Sequence, residues 1–222
     1  MSIEVFAICY NEAKLLNKFI LHYEDKFDVD KITIYDNYST DGSKEIIEKM
    51  GCNYIPYDSG GKIRDDIYLD IKNNCWKNSK ADWVIVCDID EFLEVDFDYS
   101  DCTMLSVKGF DIVGDLNSRM GVPNKMYSKN IMFKPIEIKE INYLAGCHYS
   151  KPTGNIKFSR NVAKLLHRKH ISEDYVFERH LMYQERLSDV NKQFGWGIEY
   201  QNVERKKIEE KFVELRKNAI EI

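Results

Sequence analysis

A chain of 222 residues, 44% hydrophobic and 31% charged, has the make-up of a soluble globular protein and is long enough to bury a full core. Its net charge of −5 supplies no positive field to gather nucleic acid, and no apolar run approaches the about 18 residues of a membrane span. Six cysteines, at 9, 52, 75, 87, 102 and 147, form no Cys-x-x-Cys pair; they read as free thiols in a reducing compartment and exclude a zinc site.

Met1–Ile8 lacks a basic leader and a cleavage site, so Ile3 to Cys9 reads as a first buried strand. Tyr10-Asn11-Glu12 turns the chain into a helix whose apolar positions Leu15, Leu16, Phe19, Ile20 and Tyr23 recur at helical spacing. Lys31 to Asp36 is the next strand and ends in an acid. Asn37-Tyr38-Ser39-Thr40-Asp41-Gly42-Ser43 is dense in turn and N-cap residues and leads into a helix at Lys44–Met50. Cys52 to Tyr57 is a third strand, which Pro56 places at or near an edge. After Gly60-Gly61 a long helix is expected from about Lys62 to Asn78, with Ile63, Ile67, Ile71 and Cys75 facing the sheet. Strands alternating with helices imply a parallel, right-handed wound sheet.

Trp83 to Cys87 is apolar throughout and runs into Asp88-Ile89-Asp90-Glu91. Such a run reads as a strand buried on both faces, with acids at its carboxyl end, where ligands bind in open α/β sheets. On an extended segment Asp88 and Asp90 share one side while Glu91 turns to the other. Two carboxylates about 4 Å apart repel by about 4 kcal/mol at an effective dielectric near 20, so one is protonated or a cation sits between them. A hard divalent ion such as Mn²⁺ or Mg²⁺ suits these oxygens and keeps positions open for phosphates.

Beyond Leu93, strands are expected at Gly109–Val113, Ile131–Phe133, Ile138–Tyr143 and Asn161–Leu166, the last stopping at His167-Arg168-Lys169-His170. Ser172 caps a helix Glu173–Leu187 with acids in its first turn. A final helix, about Val203–Ala219, aligns Ile208, Phe212 and Leu215.

Laid out in this order, the sequence resembles a glycosyltransferase of the GT-A fold, in the family 2-like group of bacterial and viral members, from Ile3 to about Tyr200. The resemblance rests on Cys9-Tyr10-Asn11-Glu12, on Ile34-Tyr35-Asp36-Asn37 followed by Ser39 to Ser43, on Asp82-Trp83-Val84-Ile85 running into Asp88 to Leu93, and on Leu166-His167 ahead of Ser172-Glu173. It implies one α/β domain over 1–200, Rossmann-like, with a mostly parallel central sheet flanked by helices. Residues 1–95 would form the nucleotide-binding half and 96–200 the acceptor-side half, with a C-terminal helix at 201–222. It further implies a cytoplasmic enzyme of the hexosyltransferase type. Such an enzyme moves a sugar from a nucleotide diphosphate sugar to a glycan, lipid-linked or protein-linked acceptor with Mn²⁺ or Mg²⁺, commonly with inversion. Carried over residue by residue, Asp36 reads the nucleoside, Tyr10 and Glu12 lie at the nucleotide, Asp88 meets the ribose or the metal shell, Asp90 ligates the metal and His167 completes its coordination.

Each assignment has a structural alternative. Glu12 could merely open its helix, and Asp36 could cap the Ser39–Gly42 turn. His167 and His170 would face opposite sides of a strand, so one of them at most is a ligand. His148 could border the sugar. Arg64 and Asp65 could meet the nucleotide or be surface charge. For the catalytic base, Asp115 lies in the turn after the Gly109–Val113 strand, with Asp111 and Glu91 as rivals.

A phosphohydrolase that opens on Asp-x-Asp shares the local pattern, but there the acids follow the first strand. A nucleotidylyltransferase would need a glycine-rich loop where Tyr10-Asn11-Glu12-Ala13-Lys14 has none, and a glycoside hydrolase needs its carboxylates across a cleft of about 5–10 Å. A nucleotide-sugar binding module without transfer is the non-enzyme alternative. Oligomeric state is left open.

Overall fold

The computed structural model describes residues 1–222. The first seven elements are β1 (Ile3–Cys9), α1 (Ala13–Phe27), β2 (Lys31–Asp36), α2 (Ser43–Lys49), β3 (Asn53–Pro56), α3 (Asp65–Asn74) and β4 (Trp83–Asp88). β1 pairs in parallel with β2 and β4, and β2 with β3, giving the order β3-β2-β1-β4 with a helix in each crossover. Pro56 lies on the free edge strand, where its missing N–H breaks no ladder.

Alternation along β4 divides the core. Trp83, Ile85 and Cys87 face the α1 side with Phe19 and Phe92, whereas Val84 and Val86 face Trp76 and Phe133 on the other. The five apolar positions expected on α1 are all buried, each contributing about 1.5–3 kcal/mol if fully removed from water.

α3 differs from its expectation. It begins three residues later than read, because Ile63 leaves the helix to bridge to Leu187. Of its positions only Lys72 is buried; Leu69 and, just past its end, Cys75 are half-buried against the core, and Ile67 and Ile71 are likewise half-buried. Lys72 is buried because it has a carboxylate to meet, a reason that apolar periodicity does not encode.

The second half contains β5 (Glu91–Glu94), β6 (Met104–Val113), β7 (Met120–Pro123), β8 (Met132–Phe133), β9 (Ile138–Glu140), β10 (Thr153–Gly154), β11 (Phe158–His170), α4 (Glu173–Arg186), α5 (Asp189–Phe194), α6 (Arg205–Asn218) and β12 (Ile220–Glu221). The sheet continues past β4 as β8-β6-β7-β12, and β11 adds parallel to β6 and antiparallel to β5. β9 and β10 form a separate ribbon. The strands β5, β7, β10 and β12 and the helix α5 were not expected from the sequence. Nor does β11 stop at His167: it pairs as far as His170↔Val113, with a register shift between His167 and His170. Ser172 caps α4 by accepting from Tyr175 N–H, and Ile208, Phe212 and Leu215 pack α6 on Val113 and Val176. All six cysteines are free, and no helix is long and apolar enough to cross a membrane.

Candidate functional site

The turn cluster Asn37–Ser43 works as a backbone clamp. Ser39 Oγ accepts from Asn11 N–H at 2.8 Å, Asp41 from Ala13 N–H at 2.9 Å and Ser43 Oγ from Glu12 N–H at 3.0 Å, while Asn11 Oδ1 accepts from Thr40 N–H at 2.8 Å. Two loops that follow neighbouring strands thereby fix each other, and Tyr10 and Glu12 are held at the carboxyl end of β1. Asp36 serves this clamp. Fully buried, it accepts from Ser39 N–H at 3.0 Å, Ser39 Oγ at 2.5 Å and Tyr54 OH at 3.3 Å, and it does not line the cavity described next. These bonds are those of the capping alternative, and Asp36 stands behind the cavity rather than in its lining.

A cavity of about 460 Å³ opens beyond the carboxyl ends of β1 and β4. It brings together Tyr10, Glu12, Asp65, Asp88, Asp90, Glu91, His148 and His167, and adds Lys72, Tyr127, Lys129, Lys169, Arg179, Arg186, Trp196 and Glu199. Arg64 and Asp115 stay outside. Arg64 pairs with Asp66 at 2.6 Å, and Asp115 caps an exposed turn by accepting from Asn117 N–H at 2.7 Å.

The three acids do not alternate as on an extended strand, because Ile89-Asp90 form a turn between β4 and β5. Asp88 meets Lys72 at 2.5 Å and Lys129 at 3.3 Å, and these ammonium groups outweigh its burial to hold the carboxyl at about 2. Glu91 shares Lys129 and accepts from Asp88 N–H at 3.0 Å, so it joins Asp88 rather than turning away. Asp90 lies 3.4 Å from His167 Nε2 and 3.3 Å from Arg179; both cations overcome burial and keep it well below the usual carboxylate range. The repulsion expected within the acid run is thus met by the protein's own cations.

Arg179 also grips Glu12, at 2.6 Å and 3.1 Å, so Glu12 is no mere helix opener; burial pushes its carboxyl up and the guanidinium pulls against that. The register shift in β11 turns both late histidines toward Asp111, His167 Nδ1 at 3.0 Å and His170 Nδ1 at 3.8 Å, against the expectation of opposite faces. An ionised carboxylate only accepts, so His167 Nδ1–H donates to Asp111 and Nε2 is left facing Asp90. Burial disfavours the charged imidazole, but Asp90 and Asp111 raise His167 to about 9; burial pushes His170 down to about 3 and His148 to about 4. Tyr127 stacks on His167 with centroids 3.7 Å apart.

Asp90 Oδ2 and His167 Nε2 would suit Mn²⁺ or Mg²⁺ only once the Nε2 proton is displaced, because the imidazole, raised to about 9, is otherwise a cation with no free lone pair. No group of three or more His, Cys, Asp or Glu is arranged to hold a metal ion, and Asp88, engaged by two lysines, does not join the pair.

The sequence reading missed Lys72, Lys129, Arg179, Arg186 and Glu199. A signal exists for the arginines: Tyr175, Arg179 and Tyr183 are four apart and Arg186 three further on, so α4 presents one face with two guanidinium groups. Arg186 lies over the Tyr10 ring at 3.1 Å, and its buried Nη2 has no partner.

No family model and no curated protein matches the chain. Among solved structures, S. aureus TarS is 15% identical, with a TM-score of 0.50 over 83% of this chain, which spans 39% of the TarS chain. S. aureus TarS 1-349 in complex with UDP-GlcNAc is 16% identical over 86% of this chain and 69% of its own, with a TM-score of 0.44. Glucosyl-3-phosphoglycerate synthase from Mycobacterium tuberculosis, solved with Mn²⁺ and UDP, is 14% identical over 49% of this chain and 44% of its own, with a TM-score of 0.35. At such identities the likeness to TarS shows the fold alone: a single α/β domain of the GT-A type with a central, mostly parallel sheet.

Proposed function

We propose that this chain transfers a hexosyl group from a nucleotide diphosphate sugar to an acceptor hydroxyl. The observation that carries the proposal is the cavity at the carboxyl ends of β1 and β4, where the pair Asp90 and His167 stands beside Lys129, Arg179 and Arg186, whose Nε donates to Gly61 O while Nη2 has no partner. The free Nη2 is a fixed donor of the kind a diphosphate takes. Asp90 Oδ2 and, once deprotonated, His167 Nε2 would hold a divalent ion, which would supply charge neutralisation at the leaving diphosphate. Asp111 orients His167, Lys72 and Lys129 hold Asp88 and Glu91 in place, and Tyr10 with Arg186 offers a flat surface for the nucleotide. The free thiols fit cytoplasmic nucleotide-sugar pools.

The base is a further part of the proposal. Glu12, Asp88, Asp90 and Glu91 each have a cation, and Asp115 lies outside the cavity. Asp65 and Glu199 are the lining carboxylates without an ion pair, and burial raises Asp65. Direct attack assisted by either gives inversion, which the anomeric proton coupling of the product reads by NMR. A donor-binding module without transfer is the second reading, favoured by the engagement of Glu91 with Lys129. Titration calorimetry with a panel of nucleotide diphosphates and their sugars, in Mn²⁺, in EDTA and on Asp90→Ala, tests the proposal. Metal-dependent micromolar binding lost in the variant is expected; no binding of any nucleotide overturns it. Binding without product for any acceptor leaves the second reading.

A further inference from the structure

We propose that the stacked pair Phe194 and Trp196 at the cavity mouth is the acceptor platform, and that it takes a neutral pyranose ring of a glycan. The inference rests on the transfer reading above and names its acceptor class.

The loop after α5 is built to present one ring. Gly195, at φ +68°, ends the helix, and Gly197, at φ +66°, turns the chain again, both in the left-handed region that costs other residues strain. Between them Trp196 N–H donates to Asn191 O at 2.8 Å, and the Trp196 ring lies against Phe194 with centroids 4.8 Å apart and planes 19° apart. Trp196 is half-buried, with one face against Phe194, and the surface beside it is open: Phe194 is 61% exposed and Ile198 66%. Apolar groups left together beside a cavity mark a binding surface.

The neighbouring polar groups select the occupant. Trp196 lines the cavity together with Asp65 and Glu199, its two carboxylates without an ion pair. Fully buried Asn191 ties these features together, since its side chain pairs with Asp65 through two bonds of 3.1 Å while its carbonyl holds Trp196. A fixed aromatic face with carboxylates beside it matches a pyranose, whose C–H face packs on the ring while its hydroxyls donate to the acids. The same carboxylates repel an anionic lipid headgroup.

The protein carries its own reporter. Of its three tryptophans, Trp76 and Trp83 are each 1% exposed, so a ligand at the mouth perturbs the emission of Trp196. Malto-, cello- and chito-oligosaccharides are titrated onto protein saturated with the nucleotide diphosphate that binds it. A saturable emission change with at least one series is expected. Trp196→Phe should abolish the optical change while calorimetry still detects the sugar, and Trp196→Ala should weaken sugar binding about tenfold or more. Nucleotide binding with no response to any oligosaccharide overturns the inference and leaves the donor site standing. An emission change that instead follows phosphatidylglycerol vesicles or protein concentration also overturns it, in favour of a lipid or a second copy. Failure to bind any nucleotide sinks the transfer reading, and this inference with it.

Discussion

The two halves of the sheet solve different problems. In β3-β2-β1-β4 every neighbour is parallel, each strand is short and each crossover is a helix, so contacts are built from consecutive apolar runs. Around β6 and β11 the partners are distant in sequence and mixed in direction: β5 joins β11, β8 joins both β4 and β6, and β12 joins β7 at the end of the chain. The first half supplies Glu12, Asp65, Asp88, Asp90 and one cation, Lys72, and the second supplies Glu91, Asp111, Lys129, His167, Arg179 and Arg186. Charge of either sign alone would be costly to bury, so the site exists only where the halves meet.

Asp90 lies at that meeting, and its substitution should have the largest effect. Asp90→Ala takes from His167 and Arg179 the carboxylate they share, leaving them Asp111 and Glu12, and should cost about 3 kcal/mol in the urea-unfolding free energy and abolish metal-dependent nucleotide binding. Asp90→Asn should keep more stability and still lose the metal dependence. Phe92→Ala deletes a fully buried ring beneath α1 and should cost a similar about 3–5 kcal/mol. It should lower the melting temperature while folded protein retains nucleotide affinity, separating core from site.

Gly109→Ala tests how the second half delivers its cations. A Cβ there would lie 2.3 Å from the Tyr127 carbonyl carbon, so the segment that carries Tyr127 and Lys129 must shift. A loss of about 1–3 kcal/mol is expected, with nucleotide affinity falling more than for a core variant of equal stability. Ser172→Ala removes the N-cap of α4 and should cost about 1 kcal/mol by chemical denaturation.

The smallest effect concerns pH. Arg119 holds Glu94 through bonds of 2.5 Å and 3.0 Å, and, against burial, keeps its carboxyl below the usual range. A carboxylate with a depressed folded pKa stabilises the fold above its unfolded pKa, and that contribution fades as the pH falls through the folded value. Acidification should therefore lower the urea midpoint less for Glu94→Gln than for the parent, compared between pH 7 and about pH 3.

Much of the first half was legible because local pattern and final burial coincide there. The α1 stripe, the edge position of Pro56, the turn cluster ahead of α2 and the acid run after β4 all followed from periodicity and turn chemistry. Asp36 shows the limit. The sequence places it at the end of a buried strand, a position that suits a ligand and a turn cap equally, and only the tertiary hydrogen bonds from Ser39 and Tyr54 reveal the cap.

By itself the sequence determined the α/β order, the buried fourth strand and the carboxylates at its end, because these depend on residues within one or two turns of chain. Tertiary structure decided what faces those carboxylates. Lys72 breaks the stripe of its own helix, His167 and His170 converge on Asp111 only through a register shift, and Trp196 meets Asp65 through Asn191. Charge pairing and strand register are set by groups far apart along the chain, and no local spacing records them.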